Sequence, residues 1–110
     1  MEMPTQLEQI SGLSDEEHGQ LRGILSEEPC VTEAILYGSR AMGTHRPGSD
    51  VDITLVGAGL TTRRLLDLSH RIDDLMMPYT FDLSILDQID SQSLMDHIKR
   101  VGKVIYRYAG

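Results

Sequence analysis

The chain contains one cysteine, Cys30, so no disulfide can form within it. It also has no apolar run of the roughly 18 residues that would cross a bilayer, and no secretory signal pattern at its start. These absences point to folding in a reducing cytosol, with Cys30 as a small, partly buried thiol ahead of a strand. Basic residues are scarce: Lys and Arg number 10 against 17 Asp and Glu, for a net charge of -7. Proteins that grip a phosphate backbone need clustered cations to displace counterions, so nucleic acid is a poor partner. A nucleoside triphosphate is still compatible with an acidic chain, provided that divalent cations bridge its phosphates to carboxylates. Repeats, low-complexity tracts and linkers are lacking too, and at 110 residues the expectation is one domain over 1–110 with its core in about 14–106. A domain of this length removes about 60% or more of its unfolded surface from water, so it needs no staple or structural metal to fold.

The periodicities that are present suggest alternating helices and strands. Ser14 with Glu17 three residues on is a capping box, and Leu21, Ile24 and Leu25 then form an apolar stripe. Leu7 and Ile10, ahead of it, suggest a short helical turn or an arm. Residues 31–37 read as a strand ending at Gly38, and residues 50–56 as a second one. Between Thr61 and Met76, apolar Leu65, Leu68, Ile72 and Leu75 alternate with charged residues as in an amphipathic helix. Pro78 breaks it, residues 79–86 read as a third strand, and residues 91–101 as a last helix. Residues 103–108 are compatible with a short edge strand. The class expected is α/β (α+β), a small mixed sheet backed by helices on one face.

Chemistry concentrates at two places. Side chains alternate along a strand, so Asp50, Asp52 and Thr54 share one face, and Thr80, Asp82 and Ser84 share the matching face of the later strand. If those strands are neighbours, three carboxylates surround a small volume. Bare, they repel one another toward protonation; one or two magnesium ions bound through carboxylate oxygens and substrate phosphates remove the conflict. The segment Gly38-Ser39-Arg40 follows a strand and can open a short helix. There Gly38 admits a phosphate closely, Ser39 adds a hydroxyl, and Arg40 offers a cation to the triphosphate. An isolated Gly-Ser is ordinarily a turn with a cap, and a lone Asp-x-Asp an exposed strand face. Their order, with Asp82 on a matching face, sets them apart; Asp87 and Asp90 fall past the strand in a turn-like stretch.

Residues 36–43, Leu-Tyr-Gly-Ser-Arg-Ala-Met-Gly, followed by residues 48–53, Gly-Ser-Asp-Val-Asp-Ile, resemble the signature of the DNA polymerase β-like nucleotidyltransferases. More narrowly, the chain is similar to minimal nucleotidyltransferases (MNT, MntA-like), stand-alone domains of about this length. The resemblance implies transfer of a nucleoside monophosphate, AMP from ATP, to a hydroxyl with loss of pyrophosphate. It implies that Gly38 and Ser39 hold the triphosphate, that Asp50, Asp52 and Asp82 bind magnesium, and that Asp82 also helps deprotonate the acceptor. Met42 stands where many relatives carry a basic residue. No acceptor-binding domain of the larger relatives is expected, so the resemblance implies a partner, typically a HEPN-domain toxin for which the nucleotidyltransferase is the antitoxin. Neutralisation by adenylation, neutralisation by binding alone, and transfer to a small molecule or nucleic-acid end all fit the same residues. Base preference and oligomeric state are not readable.

His18, His45, His70 and His97 fall in different elements without metal-site spacing and are expected at surfaces or helix ends. His45 and Arg46 lie in a loop between the two motifs, a position from which they can touch nucleotide.

Overall fold

A computed structural model describes residues 11–108; Leu7 and Ile10 lie outside the described residues. The capping box forms as the sequence suggests: Ser14 Oγ accepts from the Glu17 amide at 3.1 Å, and Glu17 returns a carboxylate oxygen to the Ser14 amide at 2.9 Å. Helix α1 (Asp15–Ser26) follows from it. Then come β1 (Glu33–Tyr37), a one-turn helix α2 (Ser39–Met42), β2 (Val51–Val56), α3 (Thr62–Asp73) and β3 (Phe81–Ile85). A 3-10 turn (Leu86–Gln88), α4 (Gln92–Val101) and β4 (Lys103–Arg107) follow. The strands are shorter than their sequence patterns at one or both ends, and Asp50 stands just before β2 rather than in it. Helix α3 ends at Asp73; Met76, at a positive φ of 57°, turns the chain toward β3.

The strand order is β3-β2-β1-β4, with β1 antiparallel to β2 and β4, and β2 parallel to β3. The parallel pair needs a crossover, which α3 supplies. The tail left open by its sequence becomes an edge strand beside β1.

Leu36 faces Ile53 across β1 and β2, and Ile53 faces Leu83 across β2 and β3. With Leu55, this apolar face joins Leu21 and Leu25 of α1 and Leu68 and Ile72 of α3 in one core. Leu21, Leu25, Ile53, Leu55, Leu68 and Ile72 are each at most 1% exposed. Burying one such side chain contributes roughly 1.5–3 kcal/mol, so this face carries the stability. The expectation of helices on one face holds for α1 and α3 but not for α4, which lies against the opposite face because its own apolar side needs cover there: Ile98 is buried, Gly102 abuts Ile35 and His97 meets Tyr37. Among the described residues no helix is long and apolar enough to cross a membrane.

Candidate active site

The opposite face carries a polar row. Tyr37 is the register partner of Asp52, and Asp52 of Asp82, so one side chain from each of three adjacent strands stands in line. Residues directly opposite in a ladder lie about 5 Å apart, which brings two carboxylates together, as their alternation suggests. Asp82 and Asp50 are exposed and Asp52 is half-buried. Burial first, then the charges of Asp82 and Asp50, push the Asp52 carboxyl above its ordinary value of 3.8. Burial also raises the Tyr37 phenol; a hydrogen bond with Ser84 works against the rise, and the charges of Asp52 and Asp82 add to it. One step along the strands, Thr54 and Ser84 are register partners, and the Thr54 hydroxyl is buried without a protein partner among the described residues. Asp87 and Asp90 lie in and beyond the 3-10 turn, past the end of β3.

The Gly38-Ser39 turn adjoins this row. Gly38 caps α2 at φ 75° and ψ -161°, a conformation that side chains with a Cβ rarely adopt. A Cβ there would collide with Asp52 Oδ2, so glycine is required both by the turn and by the carboxylate packed against it. The Gly38 carbonyl accepts from the Ala41 and Met42 amides. A first helical turn leaves its leading amides without helical partners, and α2 begins directly at this row.

Arg40 stands apart from this arrangement, and the expected contact with a triphosphate is replaced by a structural one. Its side chain is 3% exposed, with Nη1 2.7 Å from the Ser11 carbonyl and Nε and Nη2 at 3.1 and 3.0 Å from the Ser49 carbonyl. The guanidinium carbon lies 5.0 Å from the centre of the Tyr79 ring. With its donors turned to carbonyls, Arg40 tethers residue 49, immediately ahead of Asp50, to the helix that follows Gly38. His45 packs against Gly12, and Arg46 is exposed with its amide bound to Ser49 Oγ at 2.9 Å.

His97 is the residue that sequence reasoning passed over. Its Nε2 accepts from the Gly38 amide at 3.1 Å, and its ring meets Tyr37 edge-on at 6.2 Å between centroids. It belongs to the wall of a cavity of about 680 Å³ that includes Tyr37, Gly38, Asp52, Leu94 and Arg100. The contact joins residues 59 apart. No local signal reports it, beyond His97 lying next to the apolar stripe of Leu94, Ile98 and Val101.

Among the described residues no three His, Cys, Asp or Glu side chains converge as a ready-made metal cage. The donor chemistry nevertheless fits a hard divalent cation: Asp52 and Asp82 offer only carboxylate oxygens, Asp50 precedes them, and the repulsion that raises Asp52 is what such a cation relieves.

The family model described as polymerase beta, nucleotidyltransferase matches residues 19–109. Comparison with curated protein sequences finds no match. Among solved structures, the chain is similar to a toxin-antitoxin crystallised with AMP-PNP, at TM-score 0.69 and 22% identity over 84% of this chain and 74% of that one. It is similar to a complex of a tri-AMPylated HEPN toxin with MNT antitoxin from Shewanella oneidensis, at TM-score 0.64 and 19% identity over 84% and 71%. A toxin-antitoxin MntA-HepT structure matches at TM-score 0.65 and 19% identity over 86% and 73%. At these identities the likeness shows a shared fold.

Proposed function

Because the chain belongs to the polymerase β nucleotidyltransferase family, we propose that it transfers AMP from ATP to a hydroxyl of a partner protein, a HEPN-class toxin that it neutralises as antitoxin in the cytosol. The observation that carries this reading is the register setting Asp52 against Asp82 beside the Gly38-Ser39 turn. Family and fold support a transferase; the likeness to toxin-antitoxin structures supports the choice of partner.

The chain's own groups divide the work. The Ser39 hydroxyl and the leading amides of α2 hold the triphosphate, whose negative charge suits a helix start even of one turn. Asp50, Asp52 and Asp82 would hold magnesium. When bound, one or two such ions supply Lewis-acid stabilisation of the charge on the transferring phosphoryl group. Asp82, the more exposed member of the facing pair, takes the proton of the acceptor hydroxyl. The acceptor oxygen bonds to the α-phosphorus, the bond from that phosphorus to the bridging oxygen breaks, and pyrophosphate leaves. Arg40 serves at one remove by fixing the approach to Asp50.

The test is to incubate the purified chain and a HEPN-class partner with labelled ATP and magnesium. Label is expected on the partner. Asp52→Ala should reduce transfer by more than about a thousandfold, matching the several kcal/mol such charge stabilisation supplies. Absence of label with the wild type, or undiminished labelling by Asp52→Ala, refutes the reading. Neutralisation by an Asp52→Ala chain as complete as by the wild type means that binding alone does the work.

A further inference from the structure

We propose that His97 is a positioning residue for this transfer, holding the Gly38 turn so that the Ser39 hydroxyl and the amides behind it face the triphosphate; the inference rests on the function proposed above.

The Gly38 amide sits where regular structure offers it nothing. The last register pair between β1 and β2 is Tyr37 with Asp52, so Gly38 is past the ladder, and as the cap of α2 its amide precedes the helical bonds. A half-buried amide without an acceptor is costly. His97 supplies the acceptor from α4: its Nε2 lies 3.1 Å from Gly38 N. A backbone amide only donates, so Nε2 accepts and the neutral ring carries its proton on Nδ1.

This bond controls more than its own energy. Glycine has the widest backbone freedom of any residue, and Gly38 sits at φ 75°. Rotation there would re-aim Ser39 and the start of α2 while leaving the core untouched. Three restraints oppose it: the Asp52 carboxylate against Gly38 Cα, the Ala41 and Met42 amides on the Gly38 carbonyl, and His97 on the Gly38 amide. Of these, only His97 comes from another helix. It is itself steadied by the edge-on Tyr37 ring at an interplanar angle of 80°. His97 thus links α4, which walls the cavity beside Asp52, to the phosphate-binding turn.

Two substitutions separate this role from packing. His97→Gln keeps an acceptor at about the reach of Nε2 and loses the ring; His97→Phe keeps a ring against Tyr37 and loses the acceptor. Melting curves establish that each folds. The affinity for AMP-PNP with magnesium should fall about five- to tenfold in His97→Phe, the loss expected for one neutral hydrogen bond, and lie within about twofold of wild type in His97→Gln. In the transfer assay the loss should fall on KM for ATP more than on kcat. In the ¹⁵N-labelled chain without nucleotide, the Gly38 amide proton should move upfield in His97→Phe and hold its place in His97→Gln. Wild-type affinity in His97→Phe, failure of His97→Gln to restore it, no binding by any of the three, or an unmoved Gly38 resonance overturns the proposal. A wild type that binds AMP-PNP but labels no partner brings down the proposed transfer instead, and the ordering of the three affinities still decides the role of His97.

Discussion

On one face of the sheet Leu36 and Ile53 are at most 1% exposed and pack under α1 and α3; on the other, in the same two strands and the next, Tyr37, Asp52 and Asp82 stand in a row. The alternation of a strand makes the two faces inseparable in sequence and opposite in energy. The apolar face gains by burial. The polar face holds two carboxylates at ladder distance, one with its pKa raised, and the buried Thr54 hydroxyl without a protein partner among the described residues, all of which cost stability. One face stabilises the scaffold, and the other uses part of that stability to keep like charges together.

The contrast can be broken most severely from the apolar side. Ile53→Ala removes a fully buried side chain at the centre of the core and should cost about 2–5 kcal/mol, lowering Tm by roughly 10 °C or more in thermal unfolding. A change of only a degree or two would mean that this face does not carry the stability. Its neighbour in sequence should respond in the opposite direction. The folded-state pKa of Asp52 lies above the ordinary 3.8, so ionising it costs stability: the cost is absent below that value, grows as pH rises through the folded value and is complete at neutrality. Asp52→Asn should therefore raise Tm by a few degrees at neutral pH, give no gain in strong acid, and abolish transfer. A lower Tm at neutral pH would contradict the assignment of strain to the polar row.

A smaller effect concerns His18, the titratable group that α1 buries on the stabilising side. Its Nε2 is 2.8 Å from Ser11 Oγ, and burial, followed by Arg22, holds its pKa below the ordinary 6.5. The unfolded chain then takes the proton more readily, so this contribution is whole above 6.5 and is lost as pH falls through that value toward the folded one. Between about pH 7 and 5.5 the fall in Tm should be shallower for His18→Gln than for the wild type. Equal slopes would show that His18 is not the group responsible.

Helices and strands were legible to within a few residues because their signals are local: the Ser14 and Glu17 box, the spacing of Leu65, Leu68 and Ile72, the alternation around Asp52 and Asp82. Asp50 was legible as part of a motif, although it lies just outside its strand. Arg40 misled because a guanidinium beside a phosphate-type turn looks the same in sequence whether it faces solvent or two carbonyls. His97 was illegible because its partner is 59 residues away and nothing in α4 marks it.

The amino-acid sequence by itself determined the alternation that gives each strand an apolar and a polar side, the caps that start the helices, and the glycine that the turn before Ser39 requires. These follow from side-chain period, hydrogen bonding within a few residues and the steric freedom of glycine. Only the tertiary structure decided that β2 and β3 lie parallel and adjacent, so that Asp52 meets Asp82, that Arg40 is spent on holding a loop, and that α4 brings His97 to Gly38. Register between strands and contact between distant elements are set by how the whole core packs, and no short stretch of chain contains that information.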